Sequence, residues 1–440
     1  MTTAQGPPSS SMEEENLAGL FKNPIVQQLW AVRQQAKQQS LKAKAARNKD
    51  KLSSTSSTTD TTPVGKTPSE SRVQVSYPFS SDIVLAEAYR NPWGHVRLGK
   101  LLEDLDALAG NIAFFHVDQS TSQHAEHPII VTASVDRIRL QQRPPRLTVD
   151  QELQGQVTWT GTSSMEIRMQ CQSVDQTEPW LEAYVTFVTL DPHTKRPTTI
   201  PKVLPQTKEE HKAFAAGQER ANRKRQKRKQ QSVPSSTTQM EELAQRLMDE
   251  AGPLLNMPSL ADPHSILLSN TKMQNAMMAQ PQVQNLHNRI FGGFLVRRAF
   301  ELAFANAYVF GGVRPIFLEV DEVSFARPVD VGDLLVFNSR VLYTDEGSME
   351  NYHEDSSEES TTTLSSSSSK RKVPFIHVEV EAWVTEPEKA SAKVSNRFYF
   401  TFACSKSDQP VRRVLPGTID EARRMAIRMI GDQEQDNEES

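Results

Sequence analysis

The most continuous apolar stretch runs from Phe294 to Phe310, where nearly every position is hydrophobic or small apart from Arg297, Arg298 and Glu301. A helix apolar on all sides is buried on nearly all sides. Its charges and its length argue against a membrane span, so it reads as the centre of a core. Gly311-Gly312 supplies a left-handed residue to end it. Gly292-Gly293 stands at its start, where bare backbone lets another group approach free N–H groups and the positive end of the helix dipole. Alone, such a pair signals only close packing.

A second helical pattern begins near Gly94 and runs to Gly110, with apolar residues at Leu98, Leu101, Leu102, Leu105, Leu108 and Ala109. Alternating runs rich in Val, Ile, Thr and aromatics follow each helix. They lie at 129–140, 147–160, 164–174 and 180–190, then at 314–325, 334–344, 374–385 and 393–404. The two halves repeat in detail. Val135-Asp-Arg-Ile-Arg-Leu answers Val320-Asp-Glu-Val-Ser-Phe, and Asn91 precedes Gly99 by the same eight residues that separate Asn285 from Gly293. The chain therefore reads as α+β, each half a long helix wrapped by an antiparallel sheet, the two related by a pseudo-twofold.

Length and composition set outer limits. A chain of 440 residues holds two or three domains, and a net charge of −4 gives no general signal for nucleic acid. Two cysteines, Cys171 and Cys404, cannot build a disulfide framework or a metal cluster. The expected division is a polar, disordered segment at 1–71, a first domain at 72–205, a charged helical linker at 206–257, a second domain at 258–410 and a tail at 411–440. Residues 345–372, acidic and Ser-rich, read as a disordered hairpin insert. The basic cluster Arg223-Lys-Arg-Gln-Lys-Arg-Lys229 lacks interleaved aromatics and reads as a solvated helix face. The 1–71 segment, with Ile25, Val26, Leu29 and Trp30 clustered in a basic stretch, reads either as disorder with one short helix or as a transit peptide, although its acidic start weighs against the latter.

Helix geometry selects one acid. Asp106 follows Gly99 by seven residues, so the two share a face about 10.5 Å apart along the axis. Glu103 is expected to point to solvent, with Asp104 on the opposite edge and of less consequence. The equivalent of Asp106 in the second half is Phe300, so the halves have diverged.

Four sets of residues stand out together: Asn285-Leu-His-Asn-Arg-Ile-Phe-Gly-Gly, Arg97-Leu-Gly-Lys-Leu-Leu-Glu-Asp-Leu-Asp, the Arg314-Pro and Pro328-Val-Asp-Val-Gly332 segments, and Asn396-Arg-Phe-Tyr-Phe-Thr-Phe. On these residues both halves resemble the hotdog-fold acyl-CoA thioesterases, and the whole chain resembles their double-hotdog, mitochondrial-type eukaryotic branch. The resemblance covers roughly 75–205 and 265–405. Two departures are Leu98-Gly99, where the motif has Gly-Gly, and Phe291 where His is commoner.

The resemblance implies two tandem hotdog domains and a composite site, with an Asn of one half facing an acid of the other. That gives Asn285 with Asp106 as the intact pair and Asn91 with Phe300 as a degenerate one. The implied activity is hydrolysis of acyl-CoA to a fatty acid and CoA. Gly292 and Gly293 would bind the thioester carbonyl, and Asp106 would act as general base or as nucleophile. Arg97 and Arg289, with Arg297 and Arg298 nearby, are candidates for the CoA phosphates. No cofactor, metal or nucleic acid is expected. The implied assembly is a homo-oligomer, a trimer of double hotdogs, placed in the mitochondrion or alternatively the cytoplasm. Rival readings are a non-catalytic acyl-CoA-binding protein and, on the strength of His95 and His287, a hotdog enoyl-CoA hydratase.

Overall fold

The computed structural model describes residues 22–51, 65–118, 128–230, 237–285, 289–325, 327–349, 371–404 and 411–439. The Ser/Thr tract at 53–62, His287 and most of the Ser-rich insert fall outside these residues.

After a short helix α2 (Ile83–Ala88), two long helices form the centre, α3 (Leu98–Val117) and α6 (Gly292–Gly311). Gly312 ends α6 with φ of 69°, as the paired glycines predict. Around the helices curves a ten-stranded sheet in the order β1-β3-β4-β5-β2-β8-β11-β10-β9-β7. One half comprises β1 (Val73–Tyr77), β2 (Ile129–Leu140), β3 (Gln151–Thr160), β4 (Ser164–Ser173) and β5 (Leu181–Leu190). The other comprises β7 (Met273–Met278), β8 (Ile316–Phe325), β9 (Leu334–Met349), β10 (Arg371–Glu386) and β11 (Ser391–Ala403). The order within one half mirrors that in the other. The halves join where β2 runs antiparallel to β8, with Val135 opposite Val323 and Ile138 opposite Val320.

Each half buries its helix against its own strands. Leu105, Leu108 and Ile112 of α3 meet the side of the sheet that carries Leu153, Val157 and Met169, all fully buried or nearly so. The approach is close: a Cβ at Gly155 would lie 2.8 Å from Ile112 Cδ1. In the second half Phe300 of α6 lies within ring-contact distance of Phe317, Phe400 and Phe402.

Four expectations are corrected by packing. The 1–71 segment is not structureless throughout: α1 (Pro24–Lys51) is a helix, and its Ile25, Val26, Leu29 and Trp30 are buried in the core. The helix α4 (Lys208–Gln230) is not a solvated linker along its whole length. It lies on the outer face of the first half-sheet, where Arg220 binds the buried Glu166 at 2.7 Å and Lys224 pairs with Asp136. The tail forms β12 (Arg413–Leu415), parallel to β6 (Ser265–Leu267), and then α7 (Ile419–Glu439). That helix covers the second half-sheet as α4 covers the first, with Arg424 bonded to Glu379 at 3.0 Å and Arg428 paired with Asp321. The strands β9 and β10 also extend into the expected insert, from Asp345 to Met349 and from Arg371. Between α4 and β6 lies α5 (Thr237–Asn256), which is tied to α7 through Glu241 and Arg423 at 2.9 Å. No helix among the described residues is long and apolar enough to cross a membrane.

Candidate active site

The two central helices touch near their N-termini, and Asp106 sits at that contact. Its Oδ2 accepts a hydrogen bond from the Gly293 backbone N–H at 2.7 Å, so a carboxylate of the first half caps the helix of the second. The glycine pair is required there. A Cβ on Gly292 would stand 3.0 Å from that same oxygen, and one on Gly293 would meet the Glu103 backbone at 2.9 Å. The expectation that both glycine amides face a substrate is corrected for Gly293, whose N–H is engaged by Asp106.

Burial raises the Asp106 carboxyl to about 6, against hydrogen bonds from Gly293 and from the Thr132 side chain that favour the anion. Part of Asp106 still reaches solvent. Thr132 carries no periodic signal in the sequence and was not anticipated. It sits at a bulge, where β2 skips one residue against β5 between Thr132 and Ser134, and bulges re-aim side chains toward sites.

The neighbouring acids differ from expectation. Glu103 is buried, not solvated, because α6 and α1 enclose it. It accepts from Asn23 at 2.7 Å and pairs with Arg297 at 3.3 Å. Asp104 is fully buried and accepts from Tyr89 at 2.5 Å and Tyr77 at 3.0 Å. Burial pushes its carboxyl up to about 7 despite those hydrogen bonds. It is a structural acid, and so a poor neutral control for Asp106.

The start of α6 is braced from the N-terminal segment. Trp30 of α1 packs edge-on to Phe291, the residue before Gly292, with centroids 5.4 Å apart. The Lys22 ammonium lies over both rings, and burial lowers its pKa to about 8. Only a handful of apolar residues in a basic stretch announced this contact.

Asn285 sits in the loop before α6. Its backbone N–H donates to the Arg289 carbonyl at 2.5 Å, and its side-chain oxygen accepts from the Arg289 N–H at 3.2 Å. Asn91 is held in the same way in the first half: its N–H donates to the His95 carbonyl, and its side-chain oxygen accepts from the His95 N–H, both at 3.0 Å. The repeat is thus structural as well as sequential. His95 is fixed to the Pro144 carbonyl at 2.9 Å.

The arginines are engaged. Arg97 pairs with Glu301 at 2.6 Å, and Arg297 and Arg298 bond the same carboxylate at 3.1 and 3.4 Å. Arg289 is largely exposed, 3.6 Å from Asp330. Burial pushes both thiols up, Cys404 to about 11, which removes them as nucleophiles.

The reciprocal position is different in kind. Asn91, Gly99 and Phe300 together line a cavity of about 610 Å³. One Asn of the first half and the second-half counterpart of Asp106 thus line the same cavity.

Two half-sheets wrapping paired helices, with an acid at a glycine-rich helix start, define an α+β hotdog protein. No protein-family model matches the sequence. The chain is 42% identical to acyl-coenzyme A thioesterase 2, chloroplastic, of Humulus lupulus, over 83% of this chain and 80% of that protein. It is 40% identical to acyl-coenzyme A thioesterase 4, mitochondrial, of the same plant, over 93% and 73%. It is 30% identical to acyl-coenzyme A thioesterase 9, mitochondrial, of Homo sapiens, over 80% and 75%. Among solved structures, an acyl-CoA hydrolase from Bacillus cereus is 28% identical with a TM-score of 0.31, over 39% of this chain and 97% of that one. The chain belongs to the acyl-CoA thioesterases, hydrolases of thioester bonds.

Proposed function

We propose that the chain is a double hotdog that hydrolyses fatty acyl-CoA to a fatty acid and CoA at one composite site between its halves. The observation that carries this is the 2.7 Å bond from Gly293 N–H to Asp106 Oδ2, which joins the two halves at a helix start. Asp106 acts as general base, taking a proton from the attacking water. Gly293 and Thr132 hold its carboxyl in place. The Gly292 N–H, at the first turn where no intrahelical acceptor exists, receives the oxygen of the thioester carbonyl as charge develops on it. The Asn285 amide orients the carbonyl or the water. Its reach to Asp106 is supported by the reciprocal pair, since Asn91 and Phe300 line one cavity. Arg289, exposed near the loop, is the best placed of the four arginines for a CoA phosphate, because the other three share Glu301.

The domains fall at 72–205 and 258–410, and the assembly is a trimer of double hotdogs. Localisation is mitochondrial, by likeness to two relatives so named, although a third is chloroplastic. The buried Asn23, Ile25 and Val26 require any cleaved leader to end before residue 23.

The test is release of free CoA followed with a thiol reagent. Asp106→Asn should lower kcat by about 10²–10⁴-fold and leave the fold intact. Unchanged turnover sinks the assignment. Single turnover in ¹⁸O-water separates the two roles of Asp106: label in its carboxyl would mean that it attacks the thioester itself.

A further inference from the structure

The second half has exchanged more than one residue. Its counterpart of Asp106 is Phe300. Its counterpart of Thr132 is Phe317, because β8 skips one residue against β11 between Phe317 and Glu319, at the same place where β2 is bulged after Thr132. A hydroxyl–carboxylate pair in one half is thus an aromatic pair in the other, with ring centroids 5.2 Å apart. Next to that pair is the cavity of about 610 Å³, well inside the range of ligand sites, about 300–1,000 Å³.

We propose that this cavity is a second acyl-binding site, which holds the acyl chain of a thioester without cleaving it. The ligand class rests on the function proposed above. Three observations support the inference. The Asn91 loop and the Gly99 helix start repeat the scaffold of the Asp106 site. The wall is aromatic, with Phe304 6.2 Å from Phe300 and Trp93 5.9 Å from Phe304. The rim carries Arg97, which shares Glu301 with two other arginines, and Arg90, paired with Glu87 at 2.8 Å, while Arg314 lies over the Trp93 ring at 4.9 Å; this positive surround suits the anionic CoA end of an esterified chain. Phe300 cannot accept a proton from water, and the carboxylate beside it, Glu301, is tied up by Arg97, Arg297 and Arg298, so the ligand stays whole.

The test uses the full chain and a long-chain alkyl-CoA thioether, which cannot be hydrolysed, with stoichiometry read by calorimetry. Two equivalents per chain are expected. Leu98→Glu places a charge in the apolar wall, at a first-turn position where an acid suits the helix dipole. It should leave one equivalent, with turnover retained and the melting temperature unchanged. Trp93→Ala, at a residue 41% exposed, should weaken the second equivalent about tenfold, and Leu98→Met should keep both. One equivalent in the unsubstituted chain, or two in Leu98→Glu, overturns the proposal. Absence of both thioether binding and thioester cleavage would instead sink the function proposed above.

Discussion

An aspartate proposed to take a proton from water near neutral pH has to be a stronger base than an exposed one, and burial on α3 raises two acids in that sense. Asp106 stands at about 6 and Asp104 at about 7, both above the ordinary carboxylate value of 3.8. Two pH effects of opposite sign follow. With Asp106 as the base proposed above, hydrolysis would need its anion, so kcat/KM should climb about tenfold per pH unit below about 6 and level off above it. For stability, a carboxyl whose pKa is raised on folding binds more protons in the folded than in the unfolded chain between the two values. Stability from these groups is therefore full below about 4 and is lost as pH rises toward 6 for Asp106 and 7 for Asp104. Burial also holds His116 down at about 4, a contribution of opposite sign, so the decline is read as a difference: in urea titrations from pH 4 to 8 the midpoint of the unsubstituted chain should fall relative to that of Asp106→Asn. A difference that stays constant over that interval would refute the buried-acid account for Asp106. Removing Asp104 altogether is a separate matter. Asp104→Ala strands the Tyr77 and Tyr89 hydroxyls, at about 1–3 kcal/mol each, and should be seen as a fall in denaturation midpoint.

At the scale of elements, legibility followed the strength of the apolar signal. The central helices and the strands announced themselves because burial on all sides, or on one face, writes long periods into the sequence. The glycine pair and Asp106 could be placed from helix arithmetic. The burial of helix α1 could not: a short helix is readable there, but Ile25, Val26, Leu29 and Trp30 lie in a stretch otherwise basic and polar. The docking of α4 was hidden for a related reason, since Arg220 and Lys224 look like a solvated face until Glu166 and Asp136 are placed beneath them. Glu103 reads as solvated in the sequence but is buried, because a helix has no solvent side once a second helix covers it. Thr132 became visible only through the bulge that matches it with Phe317. The consequence of α1 is testable. Trp30→Ala removes a buried ring from the Phe291 contact and should cost about 3–5 kcal/mol. Trp30→Phe, which keeps an aromatic edge on Phe291, should recover most of the midpoint in urea. Equal loss in both would mean that ring packing at Phe291 is not what α1 supplies.

For the whole molecule, the two halves are not independent units joined by a tether. They share one sheet through the β2–β8 pairing and one helix contact through Asp106 and Gly293. Near the pseudo-twofold the equivalent positions Glu103 and Arg297 form an ion pair, an arrangement open to two diverged halves but not to two identical ones. Each half also carries its own covering helix, α4 on the first and α7 on the second, each using two basic residues four apart on strand carboxylates. The covalent connection between Gln230 and Thr237 then matters little once folding is complete. A protease site placed between those residues should be cut without loss of turnover, and the two fragments should co-elute in gel filtration. In urea they should part at the same concentration at which hydrolysis stops, because Asp106 and Asn285 lie on different fragments. Fragments that separate freely while one of them keeps hydrolysing acyl-CoA would show that the site lies within a single half, against the composite arrangement.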